Sequence, residues 1–294
     1  MDTSEILKRI RRIEITTKNM VQEVFSGEYH SVFRGQGLEF AEVREYQMGD
    51  SYRDIDWNVS ARMGHPYIKK FEETRELNVI FLVDCSASNV FGTRQYLKSE
   101  YIAEVTAVLS FSALSNQDKV GLLLFSDRIE KYVPPRKGKK ATLQILRDIL
   151  FFEPQGKGTD INQAVEYISH LVKKRSIFFI ISDFYDQGFE RSVQLLGKKH
   201  DVVALRVTDQ AELELPKAGI LHLEDPETGD TFTIDSDDEY LLKQYSKQSQ
   251  IYEEHLQSRF KKMQVDLVNL KTDQSYVTEL QKFFKTRIRK RVKS

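Results

Sequence analysis

The chain has 294 residues, 40% of them hydrophobic and 30% charged, and its 44 Lys and Arg balance 44 Asp and Glu to leave no formal net charge. That balance excludes a global electrostatic attraction to nucleic acid or to an anionic membrane, and the length suffices for a core that buries roughly 75% of the surface an unfolded chain exposes. The longest apolar runs fall far short of the roughly 20 residues a membrane span needs, and Lys8, Arg9, Arg11 and Arg12 break up the isoleucines that a signal peptide would keep together.

A cytoplasmic protein is therefore expected, in agreement with a single cysteine, Cys85, that has no partner for an internal disulfide. Ile6, Ile10, Ile13, Met20, Val21 and Val24 recur at helical spacing among charges, so an amphipathic helix over about 4–25 opens the chain and is expected to pack on the main body. Residues 27–76 change character: Gly35 and Gly37 lie close together, and Phe40, Val43 and Tyr46 stand between Glu39, Glu42, Arg44 and Glu45, which reads as short strands and turns. Around the only tryptophan, Trp57, acids and arginines concentrate, and Asp56 is either half of a functional pair with an arginine or part of a structural ion-pair network.

Residues 79–83 form an unbroken apolar run rich in β-branched side chains that ends abruptly in Asp84-Cys85-Ser86-Ala87-Ser88. This is the pattern of a strand buried on both faces of a parallel sheet, with Cys85 as a small buried hydrophobe at its end. After a turn at Gly92, Tyr101, Val105, Val108 and Leu109 mark one face of a helix, and 120–125 is a second buried strand. Ser126-Asp127-Arg128 turns tightly into an antiparallel edge strand over 129–133, before Pro134-Pro135. The basic loop 136–140 lacks the spacing that cradles nucleotide phosphates and reads as solvated.

A helix to about Phe152 leads into a glycine-rich loop ending in Thr159-Asp160, then a helix from Ile161, then a buried strand over 177–181 followed by Ser182-Asp183. The alternation continues with a helix over 188–199, a strand over 202–205 and a hairpin of 220–223 with 232–234. A long helix over 237–262, an edge strand over 265–270 and a last helix with Val277, Leu280, Phe284 and Ile288 on one side complete the chain. Its basic end, 285–293, is either a solvated helix terminus or a docking patch for acidic partners. The division expected is an extension over 1–76 packed on a main α/β domain over 77–294, with a mainly parallel central sheet flanked by helices and an inserted hairpin.

Asp84 and Asp183 at two strand ends, and Thr159 on the glycine-rich loop, would lie on one edge of the sheet, where ligands of open α/β sheets bind. With Ser86 and Ser88 they make two carboxylates and three hydroxyls, hard oxygen donors that suit Mg2+ or Mn2+ better than Zn2+. The six histidines are scattered and form no zinc arrangement. A metal held this way is short of negative charge, so a carboxylate of another protein can complete its coordination. Two other readings stand beside this one. Thr159 and Asp160 can be plain helix caps, with the acids merely satisfying strand ends. Or Asp84 serves a metal-dependent phosphohydrolase, although Ser86 stands where a dehalogenase-type phosphatase would carry its second aspartate, and no Gly-x-Ser-x-Gly surrounds the candidate serines.

Asp84-x-Ser86-x-Ser88, Thr159 after Gly158, and Asp183 ending a later strand resemble the metal-ion-dependent adhesion site of von Willebrand factor type A domains. The order of strands and helices over 77–294 is similar to that Rossmann-like fold as well. Arg34-Gly35-Gln36-Gly37-Leu38-Glu39-Phe40, Val43-Arg44-Glu45-Tyr46, Gly49-Asp50, Arg53-Asp54-Ile55-Asp56-Trp57, Ser60-Ala61-Arg62 and Asp225-Pro226-Glu227-Thr228-Gly229 resemble the bacterial domain-of-unknown-function 58 family. The resemblance implies a non-enzymatic adaptor or co-chaperone of a MoxR-type AAA+ ATPase, acting in protein assembly or activation. It also implies that Asp84, Ser86 and Ser88 are first-loop metal ligands, Thr159 the second-loop ligand and Asp183 the third-loop acid. Asn89 stands where the pattern commonly carries methionine.

Overall fold

The computed structural model describes residues 3–21, 29, 31–33, 38–73, 76–90, 97–225 and 229–293. Alternating residues near position 40 form β1 (Leu38–Glu45), which pairs antiparallel with β2 (Tyr67–Glu73). Between them lies a short helix (Trp57–Met63). Asp56 caps it, accepting from the amides of Asn58 at 3.0 Å and Val59 at 3.2 Å. A bidentate ion pair in this segment joins Arg44 to Asp50, at 2.9 and 2.8 Å. These elements belong to one compact unit, Phe33–Glu76; the other joins Met1–Val32 to Leu77–Ser294. The opening helix (Thr3–Met20) thus belongs with the main body, and the separate unit begins only after it.

In the larger unit, β3 (Asn78–Asp84), β4 (Lys119–Phe125), β5 (Ile129–Arg136), β6 (Ile177–Ser182), β7 (Asp201–Thr208) and β10 (Asp266–Lys271) form a six-stranded sheet in the order β10-β7-β6-β3-β4-β5. All neighbours are parallel except β4 and β5. β8 (Ile220–Glu224) and β9 (Thr231–Asp235) make the separate hairpin. Alternation sorts the apolar side chains onto two faces. Ile80 and Leu82 of β3 and Phe178 and Ile180 of β6 join Val165 and Ile168 of one helix (Ile161–Leu171), Val193 and Leu196 of a second (Glu190–Lys199) and Leu256 and Phe260 of a third (Glu239–Met263). Phe81 and Phe179, registered partners facing the other way, stack at 5.5 Å. Helices Lys98–Ser115, Lys139–Phe151 and Thr3–Met20 pack together, the first of them also against β3 and β4, so the sheet is covered on both sides.

Two boundaries differ from those the sequence suggests. β5 runs on through Pro134 and Pro135 to Arg136, because an edge strand tolerates prolines that lack an amide. Gly121 of β4 makes room for them: a Cβ there would lie 3.0 Å from Pro135 N and from Val133 O. The basic segment after it is not one loop, since Gly138 turns at φ 93° and Lys139 already begins the next helix. The 34–37 part of the N-terminal signature, the turn at 92 and the loop tip 226–228 lie outside the described residues. Among the described residues, no helix is long and apolar enough to cross a membrane.

Candidate functional site

The strand order reverses between β3 and β6, because β4 and β5 lie to one side of β3 and β6, β7 and β10 to the other. In an open α/β sheet this is the point beyond whose carboxyl ends a ligand crevice forms. Asp84 is the last residue of β3, and Asp183 directly follows β6.

Asp84 is buried, and its Oδ1 accepts from the Ser86 amide at 2.9 Å. Its Oδ2 accepts from the hydroxyls of Ser182 at 2.7 Å and Thr159 at 3.3 Å. The Ser86 and Ser88 hydroxyls lie 3.1 Å apart, and that of Ser88 donates to Asp183 Oδ2 at 3.1 Å. Thus the structure brings together all of Asp84, Ser86, Ser88, Thr159 and Asp183. Burial, and then the neighbouring Asp183 carboxylate, push the Asp84 carboxyl up to about 6. Cys85 beside it donates its thiol to the Phe125 carbonyl at 3.1 Å, and burial raises its pKa far above the ordinary thiol value, which suits an inert packing role.

Each of the three loops is fixed by residues that sequence reasoning did not single out. In the second loop, Glu130 of β5 accepts from the Ser126 hydroxyl at 2.7 Å and from the amides of Gln155 at 3.0 Å and Gly156 at 2.8 Å. Burial works against its charge, yet the Gly156 amide and the Ser126 hydroxyl hold its carboxyl below the ordinary range. A Cβ on Gly156 would overlap Ser126 Oγ and Asp127 Oδ1, so this loop needs glycine at that position. The Ala87 amide donates to the Lys157 carbonyl at 3.1 Å and ties the first loop to the second. Asp160 takes the helix cap, accepting from the Gln163 amide at 2.8 Å, while Thr159 turns to Asp84.

In the third loop Phe184 adopts φ 61°, a left-handed conformation that costs a bulky residue about 1–3 kcal/mol and marks functional turns. It is held there: its side chain is buried, its amide donates to Ser182 Oγ at 3.1 Å and its carbonyl accepts from the Tyr252 hydroxyl. Buried Arg206 donates its Nε to the Asp183 carbonyl at 3.2 Å and pairs with Glu253 at 3.0 Å. A second buried cation, Lys98, touches the acid itself: its Nζ lies 3.0 Å from Asp183 Oδ2 and 2.8 Å from Glu212 Oε1. Burial alone would lower the pKa of this ammonium, but Asp183 and Glu212 outweigh it and the net shift is upward.

The donors fit a hard divalent cation. Among the described residues, no group of three or more His, Cys, Asp or Glu can hold a metal, so a metal at this site would depend on the hydroxyls as well as the two acids. Oxygen ligands without nitrogen or sulfur match Mg2+ or Mn2+.

Comparison with known proteins places the chain. The family described as "Protein of unknown function DUF58" matches residues 42–255, a span that holds all five candidate ligands. The chain belongs to the DUF58 family. The uncharacterized protein Rv1480 of Mycobacterium tuberculosis is 28% identical to this DUF58 protein over 294 residues, covering 98% of this chain and 92% of the relative. The uncharacterized protein YeaD of Bacillus subtilis is 37% identical over 82 residues, 28% of this chain and 19% of the relative. Among solved structures, the conserved hypothetical protein BatB from Bacteroides thetaiotaomicron aligns with 74% of this DUF58 chain and 100% of its own at 19% identity, with a TM-score of 0.46.

Proposed function

We propose that this DUF58 protein carries a von Willebrand factor A-like domain in which Asp84, Ser86, Ser88, Thr159 and Asp183 hold Mg2+ or Mn2+. In this reading it is a non-enzymatic module that captures an acidic residue of a partner protein. The observation that carries it is the convergence of these two carboxylates and three hydroxyls, drawn from three loops, at the point where the strand order reverses. A bound divalent ion would supply an open coordination position for the partner's carboxylate. The chain's own residues prepare that position. Asp84, from the buried end of β3, provides charge at the floor, and the Ser86–Ser88 pair and Thr159 provide neutral oxygens around it. Neutral ligands leave the ion positive enough to attract an external acid. The alternation of strands and helices about a mainly parallel sheet, with the candidate ligands on loops at one edge, supports the fold assignment.

A MoxR-type AAA+ ATPase, or an acidic client assembled by one, is the partner to which the sequence resemblance points. The test is a pull-down from native extract with wild type and Asp84→Ala, each in excess Mg2+ and in chelator. Retention of an ATPase or client by wild type in Mg2+, lost in the other three arms, is the expected result. Retention that ignores both metal and substitution overturns the reading. Turnover of phosphate esters that vanishes in Asp84→Asn would establish a metal-dependent phosphohydrolase instead.

A further inference from the structure

We propose that Lys98 is an internal cation that competes with the metal for Asp183, and that Glu212 is the acceptor which keeps the ammonium when a metal takes that carboxylate. The inference rests on the metal-binding reading above and names how the site is regulated.

Three observations carry it. First, the ammonium and the candidate ligand Ser88 meet at one atom: Asp183 Oδ2 lies 3.0 Å from Lys98 Nζ and 3.1 Å from the Ser88 hydroxyl. Secondly, the Lys98 side chain is wholly buried, so its charge cannot be screened by moving into water. A divalent ion taken up by Asp183 would have to share that carboxylate with the ammonium. At the effective dielectric of such sites, repulsion between the two cations is worth more than tenfold in affinity. Thirdly, Glu212 is fixed independently of the metal ligands. Its Oε1 accepts from Lys98 at 2.8 Å and its Oε2 from the Asp209 amide at 3.0 Å. Asp209 is itself anchored by the Thr272 hydroxyl at 2.8 Å and the Ala211 amide at 3.0 Å. Lys98 can therefore lose Asp183 and still hold a carboxylate.

The arrangement serves both states of the site. Without metal, the ammonium neutralises a buried acid that would otherwise stand unpaired. Were Asp183 given over to a metal, Glu212 would remain to hold the ammonium. Affinity is held down, and occupancy becomes reversible and sensitive to whatever stabilises the Lys98–Glu212 pair.

The test is a calorimetric titration of the full chain with Mn2+ in wild type, Glu212→Gln and the double variant Lys98→Met/Glu212→Gln. The double variant removes one charge of each sign, and so avoids leaving two buried carboxylates without their cation, as Lys98→Met alone would. The double variant is expected to bind Mn2+ about tenfold or more tightly than wild type, and Glu212→Gln several-fold more weakly, because its ammonium has only Asp183 left. Binding by the double variant where wild type shows none upholds the competition by Lys98 and overturns the metal-loaded state of the wild-type site. Equal affinities in all three proteins overturn the role of Lys98 while leaving the metal site standing. No Mn2+ binding in any of them overturns both.

Discussion

Asp84 and Asp118 are both buried aspartates at the ends of neighbouring strands, and each accepts from a backbone amide through Oδ1, yet the hydroxyls that reach Oδ2 differ in kind. Asp118 precedes β4, at the amino edge of the sheet. Its Oδ1 accepts from the Leu77 amide at 2.8 Å, and its Oδ2 from the hydroxyl of buried Tyr29 at 3.5 Å. Asp84, at the carboxyl edge, takes hydroxyls from Ser182 and Thr159 and sits close enough to Asp183 for the second acid to oppose its charge. An amide and a phenol on packed elements give a permanent structural joint. Aliphatic hydroxyls keep lone pairs that can turn toward a cation. Burial of an acid does not by itself point to a ligand site; in the proposed reading, the hydroxyls around Asp84 and the nearby like charge do.

Asp118→Ala leaves the Leu77 amide and the Tyr29 hydroxyl without this acceptor in the interior, and should cost about 2–4 kcal/mol in chemical denaturation while leaving the response to Mn2+ intact. A lost metal response in this variant would mean that the two edges are not independent. Gly156→Ala crowds Ser126 and Asp127 and should cost about 1–3 kcal/mol, and by shifting the Thr159 loop it should weaken metal-induced stabilisation as well. Asp84→Asn is expected to change stability in chelator by no more than about 1 kcal/mol, since the neutral isostere keeps the shape and removes a charge that burial and Asp183 oppose. The same variant should lose the rise in melting temperature that Mg2+ gives to wild type. A large stability loss in chelator would make Asp84 a structural acid like Asp118.

The strands that build the sheet are legible in the sequence because parallel strands buried on both faces leave continuous apolar runs, as in 79–83 and 177–181. Asp84, Ser86, Ser88 and Asp183 were legible as candidates for the same reason, because they follow the abrupt ends of such runs, whereas Thr159 was read from the glycine-rich loop before a helix. Lys98 was not. It stands at a helix start between Leu97 and Ser99, the pattern of a solvated lysine, and only Asp183 and Glu212, 85 and 114 residues away, draw it inside. Glu130 was hidden likewise in the mixed pattern of an edge strand. The left-handed Phe184 carried no signal at all, because glycine would be the expected residue at that backbone conformation. Asp56 shows a role that the arginines around it did not suggest, since it caps the helix starting at Trp57.

The central claim is that the hydroxyls of the first two loops and the carboxylates of β3 and the third loop share one cation. Crystals of the wild-type chain soaked in Mn2+, with data collected for anomalous scattering, test it most directly. The expected result is a single strong peak in contact with Ser86 and Ser88 and bounded by Asp84, Thr159 and Asp183, absent from crystals of Asp84→Asn. A map without a peak there, or one whose peaks lie only on surface carboxylates, would contradict it.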